Sequence, residues 1–225
     1  MVVTKLYTEP PICKKEILRY AGCKGTTDEL LQFLLDECLG EVLPKLSYKV
    51  CYMELPLSIV ENTCDFGCIQ IQSKDLVKNL KGCEKVLLFA ATIGVEIDRA
   101  IAKYAHVSPT KAVLMQAIGA ERIEALCDMF CQEVQNEIKM QGKKNAAIRP
   151  RFSPGYGDLP LETQTEILTI LHGFKTIGVS LNDSLLMSPS KSVTAFVGVD
   201  ISGQEKKNKR HSCSTCEKTD CVYRR

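Results

Sequence analysis

Arg151-Phe152-Ser153-Pro154-Gly155-Tyr156-Gly157-Asp158 brings several binding chemistries into eight residues. Arg151 offers a permanent positive charge on a planar fork that matches a carboxylate. The glycines and the proline make a turn-rich backbone that a ligand can approach closely. Tyr156 adds a flat apolar face with one hydroxyl. Carboxylate clamp, open peptide groups and aromatic plate together suit a small zwitterion carrying a flat ring. These residues alone also permit an ordinary helix–helix connection.

A second group lies at the end of the chain. Cys213-x-x-Cys216 followed by Cys221 puts three soft ligands in nine residues, with His211 two positions before the first. The x-x spacing lets two thiolates reach one metal ion from adjacent turns. Zinc and an iron–sulfur cluster both fit, given a fourth donor; so does a reduced tail without metal. The chain has twelve cysteines. Cys38 lies on the apolar face of a helical pattern and Cys51 within a strand pattern, where cysteine acts as a small hydrophobe. Cys127 and Cys131 are one helical turn apart beside an apolar stripe and also read as core. His106, His172 and His211 form no cluster. No serine-hydrolase or zinc-protease motif is present, so side-chain acid–base catalysis is not indicated and no catalytic residue is assigned.

The elements that must carry the loop follow from periodicity. Pro10 and Pro11 open a short helix ending near Gly22. Thr26 and Glu29 form a capping box for an amphipathic helix that Pro44 ends. Residues 47–55 alternate, with Tyr48, Val50, Tyr52 and Glu54 on one face. Leu57–Val60 and Phe66–Ile71 are short strand candidates, and Ser73 caps a helix ending at Gly82. Lys85–Ala91 is a buried strand, followed by Thr92-Ile93-Gly94 and a helix over about 95–106. One glycine there is too few for a dinucleotide fingerprint, so we read a structural turn. Ser108-Pro109 starts a long helix over about 109–141. Its buried stripe is Val113, Ala117, Ile118, Ile123, Leu126, Phe130, Val134 and Ile138. Gly142 ends it. Asp158 is an N-cap candidate for a helix over about 160–173. Ser184–Met187 precedes a half-buried strand over Ser192–Val199. Helices early and late around the strands predict an α+β fold. We expect one domain over 1–202 and a polar cysteine-rich tail over 203–225.

The 225 residues suffice for one sizeable core. Apolar content of 45% and charged content of 25% are those of a soluble globular protein. A net charge of +2 supplies no field for nucleic acid or anionic membrane. The basic run at 206–210 is local and consistent with a solvated tail. The sequence has neither a membrane-length apolar stretch nor a signal-peptide core, and we expect a cytoplasmic protein.

Beyond its residue chemistry, the loop resembles a known family. Arg151-Phe-Ser-Pro-Gly155-Tyr156 is similar to the Arg-x-x-x-Gly-Tyr motif of the S-adenosylmethionine-binding activation domain of cobalamin (vitamin B12)-dependent methionine synthase. The resemblance continues from Pro160 through Gly178-Val-Ser-Leu-Asn-Asp-Ser-Leu-Leu-Met187 and into Ser188-Pro189-Ser190-Lys191-Ser192-Val193. It covers about 149–200. Ala120-Glu121-Arg122 matches less specifically, and the first hundred residues match only in general architecture. With its cysteine-rich tail the chain resembles a free-standing version of the domain.

The resemblance implies a curved, twisted antiparallel sheet with packed helices. It implies S-adenosylmethionine contacts at Arg151, Ser153, Pro154, Gly155 and Tyr156. It also implies an acidic contact from the long helix. Straight alignment puts Ala125 at that place, with Glu124 beside it, and we take Glu124 as the candidate. The implied role is reductive methylation of cob(II)alamin on a partner, a cobalamin-binding methionine synthase or related corrinoid protein. Cobalamin would be supplied by that partner. If the chain counts as an enzyme, it does so as the reactivation subunit of that methyltransferase. The alternative is a metal-binding interaction or electron-transfer module using Cys213, Cys216 and Cys221.

Overall fold

Two strands that are buried at nearly every position lie side by side and set the architecture. In the computed structural model, which describes residues 1–23, 28–141 and 146–201, the chain begins with β1 (Val3–Tyr7), α1 (Lys14–Tyr20) and α2 (Glu29–Val42). There follow β2 (Tyr48–Pro56), the short strands β3 (Ser58–Val60), β4 (Thr63–Asp65) and β5 (Gln70–Gln72), and α3 (Lys74–Leu80). Next come β6 (Lys85–Thr92), α4 (Glu96–Ala105), the long α5 (Pro109–Met140) and β7 (Ala147–Ile148). The chain then forms α6 (Thr163–Ile170), α7 (Gly173–Ile177), the pair β8 (Ser180–Leu181) and β9 (Met187–Ser188), and β10 (Ser192–Asp200).

The main sheet has the order β1-β2-β6-β10-β7 and curls, every pair being antiparallel. β6 and β10 pair with Phe89 opposite Ala195 and Leu88 opposite Phe196. Alternate residues therefore enter two cores. Val50, Phe89, Ala195 and Val197 pack under α1, α2, α4 and α5. Cys51, Leu88, Ala90 and Phe196 pack under α3, α6, α7 and the small β3-β4-β5 sheet. Phe130 of α5 sits against Phe89 at 5.0 Å between ring centroids, while Phe66 stacks on Phe196 at 5.2 Å on the other side. The antiparallel sheet leaves no parallel crossover after β6, in agreement with a structural Thr92–Gly94 turn.

Several expectations change. Sequence periodicity gives no counterpart of β1 or β7, which occupy the two edges. β10 is covered on both faces rather than half-buried, because α6 and α3 lie over the Phe196 face. Thr26 lies outside the described residues; Asp28 is the N-cap of α2, accepting from Leu31 N–H at 2.7 Å. Val113 is exposed, and Leu114 and Met115 take the buried side of α5 in its place. The helix over 160–173 is two helices, broken where His172 takes a left-handed φ of 51°. The Ser184–Met187 segment is the turn and second strand of the β8–β9 pair. Gly142 and the whole tail fall outside the described residues. No helix among the described residues is long and apolar enough to cross a membrane.

α5 is tied to the N-terminal segment by a buried ion pair. Arg122 is 0% exposed. Its guanidinium donates to both Glu121 carboxylate oxygens at 2.6 and 2.7 Å, and to the carbonyls of Pro10 and Pro11 at 2.6 and 2.7 Å. Glu121 in turn accepts the Cys13 N–H at 3.0 Å, at the start of α1. Removing one partner of such a pair strands a buried charge. Arg122→Leu should therefore cost roughly 3–5 kcal/mol of stability, read as a lower urea midpoint at unchanged slope. A loss below about 1 kcal/mol would show that the α5–N-terminus tie is dispensable.

Candidate functional site

The Arg151–Asp158 loop crosses from one helical layer to the other and is fastened at three places. The first is the sheet: Phe152 and Phe196 exchange backbone hydrogen bonds at 3.0 and 2.9 Å, an isolated antiparallel bridge beside β10. The second is α5, where Nη2 of Arg151 lies 2.7 Å from Glu124 and 3.1 Å from Asp128. The third is α3. The carboxylate of Asp158 accepts from the Ser73 hydroxyl and from the N–H groups of Lys74 and Asp75, at 2.7 and 3.2 Å. This corrects the sequence expectation. Asp158 caps α3, which is distant in sequence, and supplies no cap to the helix that follows it; α6 has no side-chain cap.

Between these points the backbone turns tightly. Gly155 N–H donates to the Leu159 carbonyl at 2.9 Å, and Tyr156 N–H to the Ser153 carbonyl at 3.2 Å. Gly155 and Gly157 take φ of 88° and 55°, the left-handed region that glycine enters without strain. A Cβ on Gly157 would meet the Asp75 side chain at 2.3 Å, so loop and α3 touch there. Pro154 and Leu159 are buried and anchor the turn, while Gly155 and Tyr156 face outward, Tyr156 being 68% exposed. The loop thus presents an aromatic ring and peptide groups at its crest, with Arg151 at its base.

The electrostatics at Arg151 are those of a partly satisfied cation. Burial opposes its charge. Cys127 lies near it, but full burial pushes that thiol far up and keeps it neutral at neutral pH. The compensating charges are Glu124 and Asp128, which hold Arg151 above its ordinary pKa. Its Nη1 is buried and finds no hydrogen-bond partner among the described residues. The same two carboxylates face a cleft of about 900 Å³ between α5 and α1, lined also by Glu121, Ala125, Met129 and Tyr20. That volume is within the usual range for small-molecule sites. One guanidinium against two carboxylates leaves a local charge of −1, with a donor still unpaired.

Of the residues predicted from sequence, Arg151 and Glu124 are brought into contact, and Ser153, Pro154, Gly155 and Tyr156 form the turn beside them. Ala125 lines the cleft next to Glu124. Cys213, Cys216 and Cys221 lie outside the described residues. Among the described residues no group of three or more His, Cys, Asp or Glu side chains is placed to hold a metal ion. Asp128 was not anticipated, although its position four after Glu124 puts it on the same helix face. Ser73 was anticipated only as a cap; nothing local in the sequence ties it to Asp158.

Comparison with known proteins bears on both fold and loop. No protein of curated function matches the sequence. Among solved structures, one titled as the crystal structure of the MetH reactivation domain bound to AdoHcy superposes with a TM-score of 0.62. Identity is 16%, over 88% of this chain and 78% of that one, and at that identity the likeness establishes the fold. The sequence also matches the family described as vitamin B12 dependent methionine synthase, activation domain, over residues 69–208. That span includes α5, the loop and β10, and exceeds half of the chain, which therefore belongs to the family of vitamin B12-dependent methionine synthase activation domains.

Proposed function

We propose that this chain binds S-adenosylmethionine at the Arg151–Tyr156 loop and presents its methyl group to cobalamin held by a separate methionine synthase or related corrinoid protein. The observation that carries this reading is the junction of the family's loop with α5, where Arg151 meets Glu124 and Asp128 beside an open cleft. S-adenosylmethionine carries one carboxylate, one ammonium and one sulfonium, and so a net charge of +1 at neutral pH. The carboxylate would pair with the Arg151 guanidinium in competition with its present acidic partners. The positive groups would lie toward Glu124 and Asp128, in a cleft whose charged lining is acidic. Tyr156, exposed on the crest, would pack beside the sulfonium, and Ser153, Pro154 and Gly155 would line the adenosine or methionine part.

The reaction follows from what the ligand can do. The cob(I) state of cobalamin is a strong nucleophile that is occasionally oxidised to inactive cob(II)alamin. Returning an electron is uphill for a cellular donor. It becomes practical when the trace of cob(I)alamin formed takes the sulfonium methyl, leaving methylcobalamin and S-adenosylhomocysteine. This chain would contribute position and exclusion of water rather than proton transfer. The setting we propose is the cytoplasm, where its many thiols stay reduced.

Losing a charge-assisted bond to a carboxylate costs about 1.5–3 kcal/mol, so Arg151→Ala should weaken S-adenosylmethionine binding by about tenfold or more in calorimetry, with the fold intact. Methylcobalamin should form in the corrin spectrum only when this protein, S-adenosylmethionine, a reductant and the cob(II) partner are all present, and more slowly with Arg151→Ala. Equal rates without this protein would reject the reading for that partner.

The tail over 203–225 is proposed as a separate metal-binding segment, on the spacing of Cys213, Cys216 and Cys221. Protein purified anaerobically with iron and zinc supplied should carry metal, and the triple Cys→Ser variant should not, with ligand binding unchanged. Metal-free wild type would leave the tail a plain linker. If no cobalamin protein responds to this chain while the tail holds metal, an interaction or electron-transfer module becomes the better account.

A further inference from the structure

We infer that Asp158 and Ser73 are positioning residues for the ligand loop, acting through the first turn of α3 rather than by touching ligand; the inference rests on the binding site proposed above. The loop is held on one side by Arg151, whose guanidinium already serves two carboxylates and would also serve the ligand. A contact shared in this way cannot by itself fix the loop, because ligand binding competes for it. The opposing fastening is independent of the ligand. Asp158 accepts three hydrogen bonds there, from the Ser73 hydroxyl and from the N–H groups of Lys74 and Asp75, at 2.7 and 3.2 Å.

The geometry around this clamp is tight. Ser73 itself accepts the Leu76 N–H at 3.0 Å, so one hydroxyl joins the helix start to the loop. Ser73 is 1% exposed, so this shared hydroxyl is shielded from competing water. Gly157, adjacent to Asp158, leaves no room for a Cβ against Asp75. The Ser73 hydroxyl, followed by the two N–H groups, holds the Asp158 carboxyl below the usual carboxylate range, so at neutral pH the acceptor is fully charged. Only Gly157 separates Tyr156 from this anchor. A loop whose far end is fastened loses little further freedom when a ligand settles on it, and affinity rises accordingly.

The test uses the whole chain and S-adenosylmethionine as probe. Calorimetry gives the affinity, hydrogen exchange at 153–157 gives loop order without ligand, and thermal melting gives stability. Asp158→Ala should weaken binding by about fivefold and speed exchange in the loop. Asp158→Asn keeps the shape but loses the charge; it should weaken binding by about threefold, and serves if the alanine variant does not fold. Leu80→Val trims the buried face of α3 away from the clamp and should lower the melting temperature without changing affinity. The inference is overturned if Asp158→Ala and Asp158→Asn bind within about twofold of wild type. It is equally overturned if Leu80→Val weakens binding as much as they do for the same loss of stability. If wild type does not bind S-adenosylmethionine at all, the proposed site itself fails, and this inference with it.

Discussion

A pair of central strands with no wet face is the constraint from which the rest follows. β6 and β10 bury side chains on both sides, so the chain must cover the sheet twice. One cover is α1, α2, α4 and α5; the other is α3, α6, α7 and the small sheet. Such coverage separates α5 and α3 by the full thickness of the sheet, about 10 Å to each layer. A segment that must contact both has to pass the sheet near its β10–β7 edge. The Arg151–Asp158 loop does this, and its charged ends are spent on the two layers it joins.

That arrangement explains how a loop rich in glycine can still present a defined surface. Gly155 and Gly157 give the tight turns, and elsewhere would bring disorder. Here the bridge at Phe152, the ion pairs of Arg151 and the cap contact of Asp158 restrict the same eight residues at start and finish. The two acidic residues on α5 have a double part. They neutralise Arg151, and with two charges against one they would favour the net-positive ligand proposed. A single acid would balance the arginine and forfeit that attraction; hydrophobic residues would leave a half-buried guanidinium unpaired.

Much of this was legible from residue types. Pro109 at the first helical position and the stripe from Ala117 to Val134 announced α5, and the unbroken apolar run at 85–91 announced β6. The loop stood out as a candidate through its resemblance to the family's Arg-x-x-x-Gly-Tyr motif, because its local chemistry alone also permits an ordinary helix–helix connection. What failed was long-range. Asp158 preceding a helix reads as its cap, and only the folded chain reveals that α3, some eighty residues earlier, competes successfully for that carboxylate. β10 sets Ser192, Thr194, Phe196 and Gly198 on one face and Val193, Ala195, Val197 and Val199 on the other, and the mixed first face reads as half-exposed although both are covered. β1 is short with an exposed alternate face, and its identity comes from pairing with β2, which periodicity cannot register.

The central claim is that ligand settles where the loop meets α5. The most direct measurement is a titration of ¹⁵N-labelled protein with S-adenosylmethionine, followed by amide chemical shifts. The account predicts one saturable event in which Phe152, Ser153, Gly155, Tyr156 and Gly157 shift together with Glu124 to Asp128. Shifts confined to other surfaces, or no shifts at saturating ligand, would contradict it.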